Sequence, residues 1–121
     1  MCDSCEDTRH WRYYVGDMIE FGEKVLSYTK GLDQDAFTAN SLTYDATLRN
    51  IELIGEAATH IPDQVREAYP EIEWRSIVGA RNRVAHGYMG LDDDVLWDII
   101  QTDVPDLLPK LHRLLASARS E

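Results

Sequence analysis

Cysteine is scarce in this sequence, with two residues among 121. They form a single C-x-x-C pair, Cys2 and Cys5, which together with His10 would supply three zinc ligands, one fewer than a closed structural site needs. A redox pair would need a strand–helix context, which the sequence does not show. We therefore expect residues 1–7 to form a mobile acidic tail, because chain termini are usually poorly ordered unless they are anchored.

Long apolar runs are also missing. No segment approaches the roughly 20 apolar residues that a membrane-spanning helix needs, and the acidic amino terminus is unlike a secretory signal. The hydrophobic fraction of 44% and the charged fraction of 28% are typical of a globular chain, and the length is typical of one domain. We expect one cytoplasmic domain over residues 8–118, with no membrane contact.

Basic residues are few, 12 against 22 acidic ones, which gives a net charge of −10. This is the wrong sign for a broad nucleic-acid surface, since phosphate affinity comes largely from Lys and Arg. Residues 74–91, however, contain Arg75, Arg81 and Arg83 and no acidic residue. Such a basic island indicates a local anion site. The alternative is that these arginines pair with acidic residues on neighbouring helices.

The alternating pattern of β-strands is not evident, and the long segments repeat their apolar residues at spacings of three and four, as helices do. Main helices are predicted over residues 8–30, 40–60 and 73–85 and from Asp92 to about 115, with short helical segments over 33–39 and 62–68. Four main helices with short connections predict an all-α, antiparallel helical bundle. The wide apolar stripe of the last helix favours burial in a homodimer.

Some residues interrupt or complicate this pattern. Gly55 lies inside the second main helix, where glycine costs about 1 kcal/mol relative to alanine, and it indicates close approach of a neighbouring helix, within the chain or across a dimer interface. Pro105 and Pro109 each remove a backbone hydrogen bond, so we expect a kink or a break there. Leu42 is assigned to the buried stripe.

Three aromatic residues have two possible roles, in the core or as platforms for nucleic-acid bases. Trp74, Trp97 and Tyr69 fall on the predicted apolar stripes or next to them. We therefore expect them to pack in the core or at an interface.

Residues 81–88 combine groups that suit metal-independent RNA cleavage. This reaction needs a base for the ribose 2′-hydroxyl, a cation for the pentacovalent phosphate and groups that hold the substrate in line. His86 suits the first role because the histidine pKa lies near neutrality, and Arg81 suits the second because its guanidinium stays charged and matches phosphate oxygens. Asn82 and Tyr88 are polar neighbours that could reach the same pocket.

The spacing alone is a weak signal. Five residues separate Arg81 and His86 by about 140° on an ideal helix, so they meet only if the helix ends at His86, as Gly87 indicates. Asn82 and His86 share a face. In the alternative interpretation, His86 caps helix carbonyls and Arg81 forms an ion pair with an acidic residue of another helix.

The sequence resembles the HEPN-domain proteins, specifically the HepT-like ribonuclease toxins. The similarity runs from about residue 8 to 115 and is strongest over residues 69–88, with further similar stretches at 48–58 and 90–97. The family pattern of Arg, four residues, His, one residue and Tyr falls on Arg81, His86 and Tyr88.

The resemblance implies a helical bundle that dimerises around one composite cleft. It implies a metal-independent endoribonuclease, needing no cofactor, with Arg81 and His86 as the catalytic pair and Asn82 and Arg83 in support. Its partners would be an RNA substrate and an MntA-like nucleotidyltransferase antitoxin, which transfers AMP to Tyr88. The added phosphate and bulk would block the site where substrate phosphate lies.

A hypothesis of a different class is a non-catalytic adaptor, in which the basic pocket holds a nucleotide or a partner protein. The acidic balance of the chain favours it. Glu52 and Glu56, spaced i, i+4, are expected to form a solvated face or to pair with arginines such as Arg49, and not to bind a metal.

Overall fold

The computed structural model describes the backbone of residues 3–85 and 92–120 and the side chains of residues 10–83 and 92–117. Within these ranges the chain is helical and contains no strand. The helices, in chain order, are α1 Asp3–Thr29, α2 Gln34–Ala39, α3 Ser41–Ala58, α4 Asp63–Ala68, α5 Trp74–Ala85, α6 Asp93–Asp98 and α7 Val104–Ser120, with a π-helical segment Ile99–Asp103 between α6 and α7.

The four longer helices, α1, α3, α5 and α7, form the bundle. Helix α3 packs against α1 and α5, and α1 packs in turn against α7. Early residues of α1, such as Val15, share one buried cluster with Ile54 of late α3 and Leu111 of late α7. Late α1, at Val25, shares a second cluster with Leu48 of early α3. Helix α1 therefore runs antiparallel to α3 and α7, and the prediction of an all-α bundle is confirmed.

Two clusters of buried side chains make up the core. The first contains Trp11, Val15, Met18, Ile19, Ile54, Ala57, Ala58, Ile61, Ile72, Trp74, Leu111 and Leu114. The second contains Val25, Phe37, Leu48, Ile51, Leu96, Ile100 and Val104. Tyr69 packs against the first cluster and Trp97 against the second. The prediction that Trp74, Trp97 and Tyr69 are packing residues is confirmed.

Side-chain caps fix several helix starts. Asp33 accepts a hydrogen bond from the Ala36 amide at the start of α2, and Asn40 accepts one from the Thr43 amide at the start of α3. Asp92 accepts from the Asp94 amide and caps α6. Short polar side chains at these positions accept hydrogen bonds from amides that have no partner within the helix. The sequence therefore predicts where these helices start.

Arg66 ties the short helix α4 to the end of α3. Its Nε donates to the carbonyl of Ile61 at 3.0 Å and its Nη2 donates to the carbonyl of Ala58 at 2.9 Å. The last carbonyls of a helix have no partner within it, and a cation there also complements the helix dipole. Through Arg66, helix α4 thus supplies hydrogen-bond donors to carbonyls at the end of α3.

Three details of the predicted helices were wrong. Helix α1 begins at Asp3, inside the segment expected to be a tail, although the domain boundary itself remains a prediction. Pro62 precedes α4 as its N-cap residue and does not start the helix. Leu42, assigned to the buried stripe, is 79% exposed because it lies in the first turn of α3, before that helix meets the core.

Pro105 and Pro109 have different effects on the backbone of the last helix. A π-helical segment ends directly before α7, and the Val104 amide donates to the carbonyl of Ile99. Proline has no amide hydrogen and its ring crowds the carbonyl four residues earlier, so a widened turn before Pro105 relieves that contact. Helix α7 continues through Pro109, so Pro109 does not end the helix.

Among the described residues, no helix is both long and apolar enough to cross a membrane.

Candidate active site

Helix α5 carries the arginines of the basic island and lies directly against α3 at Gly55. A Cβ atom added at Gly55 would collide with the Cβ of Arg81 and would lie 3.0 Å from the carbonyl oxygen of Ile77. The predicted close approach of a helix at Gly55 is confirmed, and the neighbouring helix belongs to the same chain. The suggestion that Gly55 faces a dimer partner was therefore wrong. Gly55 instead lets α5 bring Arg81 against α3.

The guanidinium of Arg81 is held at both terminal nitrogens. Nη2 donates to Oε2 of Glu56 at 2.7 Å, across the α3–α5 contact. Nη1 donates to Oδ1 of Asn82 at 2.8 Å. The structure therefore joins Arg81 to its neighbour Asn82, which was expected to contact His86 or the sugar-phosphate instead, and it adds a carboxylate that the sequence did not assign to the site.

The other two arginines of the island lie elsewhere. Arg75 and Arg83 line a cavity of about 430 Å³ between α5, α3 and the α6–π–α7 run, and Arg81 does not line it. The floor of this cavity is apolar and its rim carries Lys110 and four acidic residues, namely Glu73, Asp98, Asp103 and Asp106. The island is thus divided between two faces of α5, and Arg83 is not in described contact with Arg81.

One carboxyl group at this rim, that of Asp103, has a raised pKa. Partial desolvation raises the pKa of Asp103 above its usual value of 3.8, and repulsion from Asp98, Glu73 and Asp106 raises it further. Three carboxylates near a fourth disfavour its ionised form. This cavity is therefore lined by four acidic residues against three basic ones, Arg75, Arg83 and Lys110, so its positive charges are offset and it is a less favourable place for an anion than an unopposed basic patch.

His86 and Tyr88 lie outside the described residues. The helices before and after the segment that contains them, α5 and α6, are each held by side-chain contacts to other helices. Arg81 anchors α5 on α3, and the first turn of α6 is tied to α2 and α3: Gln34 donates to Asp94 at 2.6 Å, and the Tyr44 hydroxyl donates to Asp93 at 2.7 Å. Residues 86–91 therefore connect two helices that are each attached to α3 or α2.

Glu56 was expected to face solvent or to pair with an arginine, and it does pair with one, Arg81. This ion pair is also the one that the alternative interpretation of Arg81 anticipated, but the place of Glu56 beside the candidate site was not predicted. Glu52 does pair with Arg49, at 3.0 Å, as expected. Glu56, one turn later, pairs with Arg81 instead. The signal that could have found it is the adjacent Gly55, since a glycine that admits a helix also places its neighbour against that helix.

Metal binding has no candidate among the described side chains, where no group of three or more His, Cys, Asp and Glu is arranged to hold an ion. Of the proposed zinc ligands, Cys2 lies outside the described residues and the side chain of Cys5 is likewise not described.

Comparison with known proteins finds relatives that are named as ribonucleases. A family model described as "Ribonuclease HepT-like" matches residues 18–114. A proposed RNase of Methanocaldococcus jannaschii is 35% identical over 99 residues, which cover 82% of this chain and 91% of the relative. A probable ribonuclease HepT of Thermococcus cleftensis is 33% identical over 106 residues, covering 88% of this chain and 96% of the relative. No solved structure shows a significant match.

Proposed function

Because the chain belongs to the HepT-like ribonuclease family, we propose that it is a metal-independent endoribonuclease that acts as the toxin of a toxin–antitoxin pair. The observation that carries the proposal is Arg81, held at the end of α5 by Glu56 and Asn82 and directly followed by the segment that contains His86. The relatives named as ribonucleases support an RNA substrate, and we expect the protein to act in the cytoplasm.

In the proposed mechanism, His86 removes the proton from a ribose 2′-hydroxyl. The 2′-oxygen then bonds to the adjacent phosphorus while the bond from phosphorus to the 5′-oxygen breaks, and the 5′-oxygen takes up a proton from water to leave as a hydroxyl group. Arg81 stabilises the negative charge of the pentacovalent phosphate, because a guanidinium stays ionised and binds phosphate oxygens through paired N–H groups. Asn82 holds Arg81. Arg83 lines the cavity on the other face of α5, so its support is limited to adding positive charge near the same end of the helix.

A homodimer would complete the site. Each chain has one Arg81 in α5 and one His86 five positions later in the sequence, and two chains meeting near the end of α5 would supply two of each to one cleft. Tyr88 lies in the same segment, so transfer of AMP to it by an MntA-like nucleotidyltransferase antitoxin would place a phosphate where substrate binds. Family membership supports this mode of neutralisation.

Expression in cells without an antitoxin tests the proposal. Wild-type protein is expected to arrest growth and fragment cellular RNA, whereas His86→Ala is expected to do neither while still folding. Growth and RNA integrity are scored in the same cultures, with expression checked by immunoblot. Intact RNA in cells that contain abundant wild-type protein would contradict the proposal.

The second candidate is a non-catalytic adaptor that binds a nucleotide or a partner protein. The Arg81–Glu56 ion pair favours it, because the pair partly neutralises the charge that an RNA phosphate would need. This function predicts that His86→Ala leaves RNA as intact as wild type does, and that the protein binds ATP or a nucleotidyltransferase without cleaving RNA.

A further inference from the structure

The ion pair between Arg81 and Glu56 is short and partly exposed to solvent. The N–O distance is 2.7 Å, and 34% of the Arg81 side chain and 47% of the Glu56 side chain are exposed. Exposed pairs of this kind contribute little to stability. The carboxylate also lowers the attraction of Arg81 for phosphate, so neither stability nor substrate affinity explains why it is placed there.

One turn of α3 holds both ends of the arginine. The stem of Arg81 lies on Gly55, where any larger side chain would collide with it, and the tip binds Glu56. Asn82 binds the second terminal nitrogen. Contacts at the stem and at two nitrogens restrict the orientation of the guanidinium plane, which is otherwise set by a flexible side chain.

The two contacts leave donors for a substrate. An arginine has five N–H donors in a planar fork, and the described residues engage one at each terminal nitrogen of Arg81. We propose that Glu56 is a positioning residue that orients Arg81 so that its other N–H groups meet the scissile phosphate. This inference rests on the proposed ribonuclease function and deepens it.

The two possible roles of Glu56, orienting Arg81 and neutralising its charge, predict opposite effects of removing Glu56. If Glu56 orients Arg81, its loss lowers kcat, because a misplaced group stabilises the transition state less. If Glu56 only neutralises Arg81, its loss frees a positive charge, tightens RNA binding and does not lower kcat. Glu56→Gln separates the two, since it removes the charge but keeps an oxygen that accepts the hydrogen bond.

The test measures kcat and KM of the purified protein on a fluorescent single-stranded RNA of mixed sequence. Glu56→Ala is expected to lower kcat by about tenfold to a hundredfold, the range for a small displacement of a catalytic group, without raising KM. Glu56→Gln is expected to recover most of that loss. A kcat for Glu56→Ala equal to or above that of wild type would overturn the inference.

Glu52 supplies the matched control. It lies one turn earlier on the same helix face and pairs with Arg49 at 3.0 Å. Glu52→Ala removes the same charge and the same type of ion pair, and we expect wild-type kcat from it. Equal losses of kcat from Glu52→Ala and Glu56→Ala would assign the effect to general charge or folding and would overturn the positioning role.

A measurement that does not depend on catalysis distinguishes a failure of this inference from a failure of the proposed ribonuclease function. Nitrogen-15 NMR of the arginine side chains, with the Arg81 signal assigned by Arg81→Lys, measures rotation of the guanidinium. Rotation is expected to be slow in wild type and Glu52→Ala and faster in Glu56→Ala. If rotation follows this pattern but wild type cleaves no RNA, the ribonuclease function fails; if RNA is cleaved and rotation is unchanged in Glu56→Ala, the positioning role fails.

Discussion

At the scale of single residues, the site depends on the absence of one side chain. Gly55 has no Cβ, and the Cβ and Cγ of Arg81 occupy the space that one would fill. Close approach of two backbones is a common reason for glycine inside a helix, where its conformational entropy otherwise makes it unfavourable. The cost of this glycine is offset by contact between α3 and α5.

Gly55→Ala is therefore expected to destabilise the protein even though alanine favours helices. Overpacking costs about 1–3 kcal/mol, which outweighs the gain of about 0.5–1 kcal/mol from helix propensity. Urea unfolding, followed by circular dichroism, measures the difference.

Gly16→Ala in α1 is the control. A Cβ at Gly16 meets nothing within 4 Å, so only the propensity gain remains and stability is expected to rise by roughly 0.5–1 kcal/mol. An increase of stability in both variants would show that the α3–α5 contact is looser than described.

At the scale of helices, the run from α6 to α7 contains the least regular backbone. The π-helical segment Ile99–Asp103 precedes Pro105, whereas Pro109 lies inside a continuous α7. Proline in a helix interior loses a hydrogen bond and crowds the preceding turn. Pro109 is exposed, so no packing offsets this cost.

Pro109→Ala is expected to stabilise the protein, by up to about 3 kcal/mol. The midpoint of urea unfolding should rise. Pro62→Ala is the comparison, because Pro62 is the N-cap residue of α4 with φ −61°, a position where proline fits. Its replacement is expected to cost about 0.4–1 kcal/mol through a freer unfolded chain. A lowered midpoint for Pro109→Ala would mean that the proline shapes α7 favourably.

The helices and their caps were predictable from the sequence because they depend on local patterns. The predicted ranges begin at residues 33, 40 and 92, and Asp33, Asn40 and Asp92 cap α2, α3 and α6 in the structure. An ion pair of Arg81 with an acidic residue of another helix was the alternative interpretation of the sequence, but its partner, Glu56, lies 25 positions away and was not identified. The contact of Arg66 with the end of α3 was not predicted either. Periodicity identifies which face is buried, but it does not identify which charged neighbour the opposite helix supplies.

At the scale of the whole molecule, charge divides α5 into two sides. Arg81 faces α3 and a single carboxylate, while Arg75 and Arg83 face a cavity with four acidic residues at its rim. The net charge of −10 is therefore concentrated in part beside the arginines that would otherwise attract RNA. In the proposed ribonuclease, this division favours binding of phosphate on the face of α5 that carries Arg81.

The acidic rim makes stability depend on pH. The pKa of Asp103 is raised in the folded protein above its usual 3.8, so folding favours the protonated form. Its contribution to stability is fully present below about pH 3.8 and is lost as pH rises through the raised folded pKa. Asp103→Asn removes this dependence and is expected to stabilise the protein near neutral pH.

Urea midpoints of wild type and Asp103→Asn, measured from about pH 3.5 to 7, check this expectation. The difference between the two proteins should grow as pH rises and then level off. Asp45→Asn, an exposed position outside the rim, controls for the change in net charge. A constant difference between wild type and Asp103→Asn across the range would contradict the raised pKa.

The central claim, that Arg81 and His86 cleave RNA through the ribose 2′-hydroxyl, is tested most directly with purified protein and a defined oligonucleotide in EDTA. Wild type is expected to cleave the RNA and leave a 2′,3′-cyclic phosphate, and to spare the same sequence with 2′-deoxyribose throughout. Arg81→Ala and His86→Ala should each abolish cleavage. Cleavage that persists in both variants, that requires a metal ion or that extends to the deoxy substrate would contradict the account.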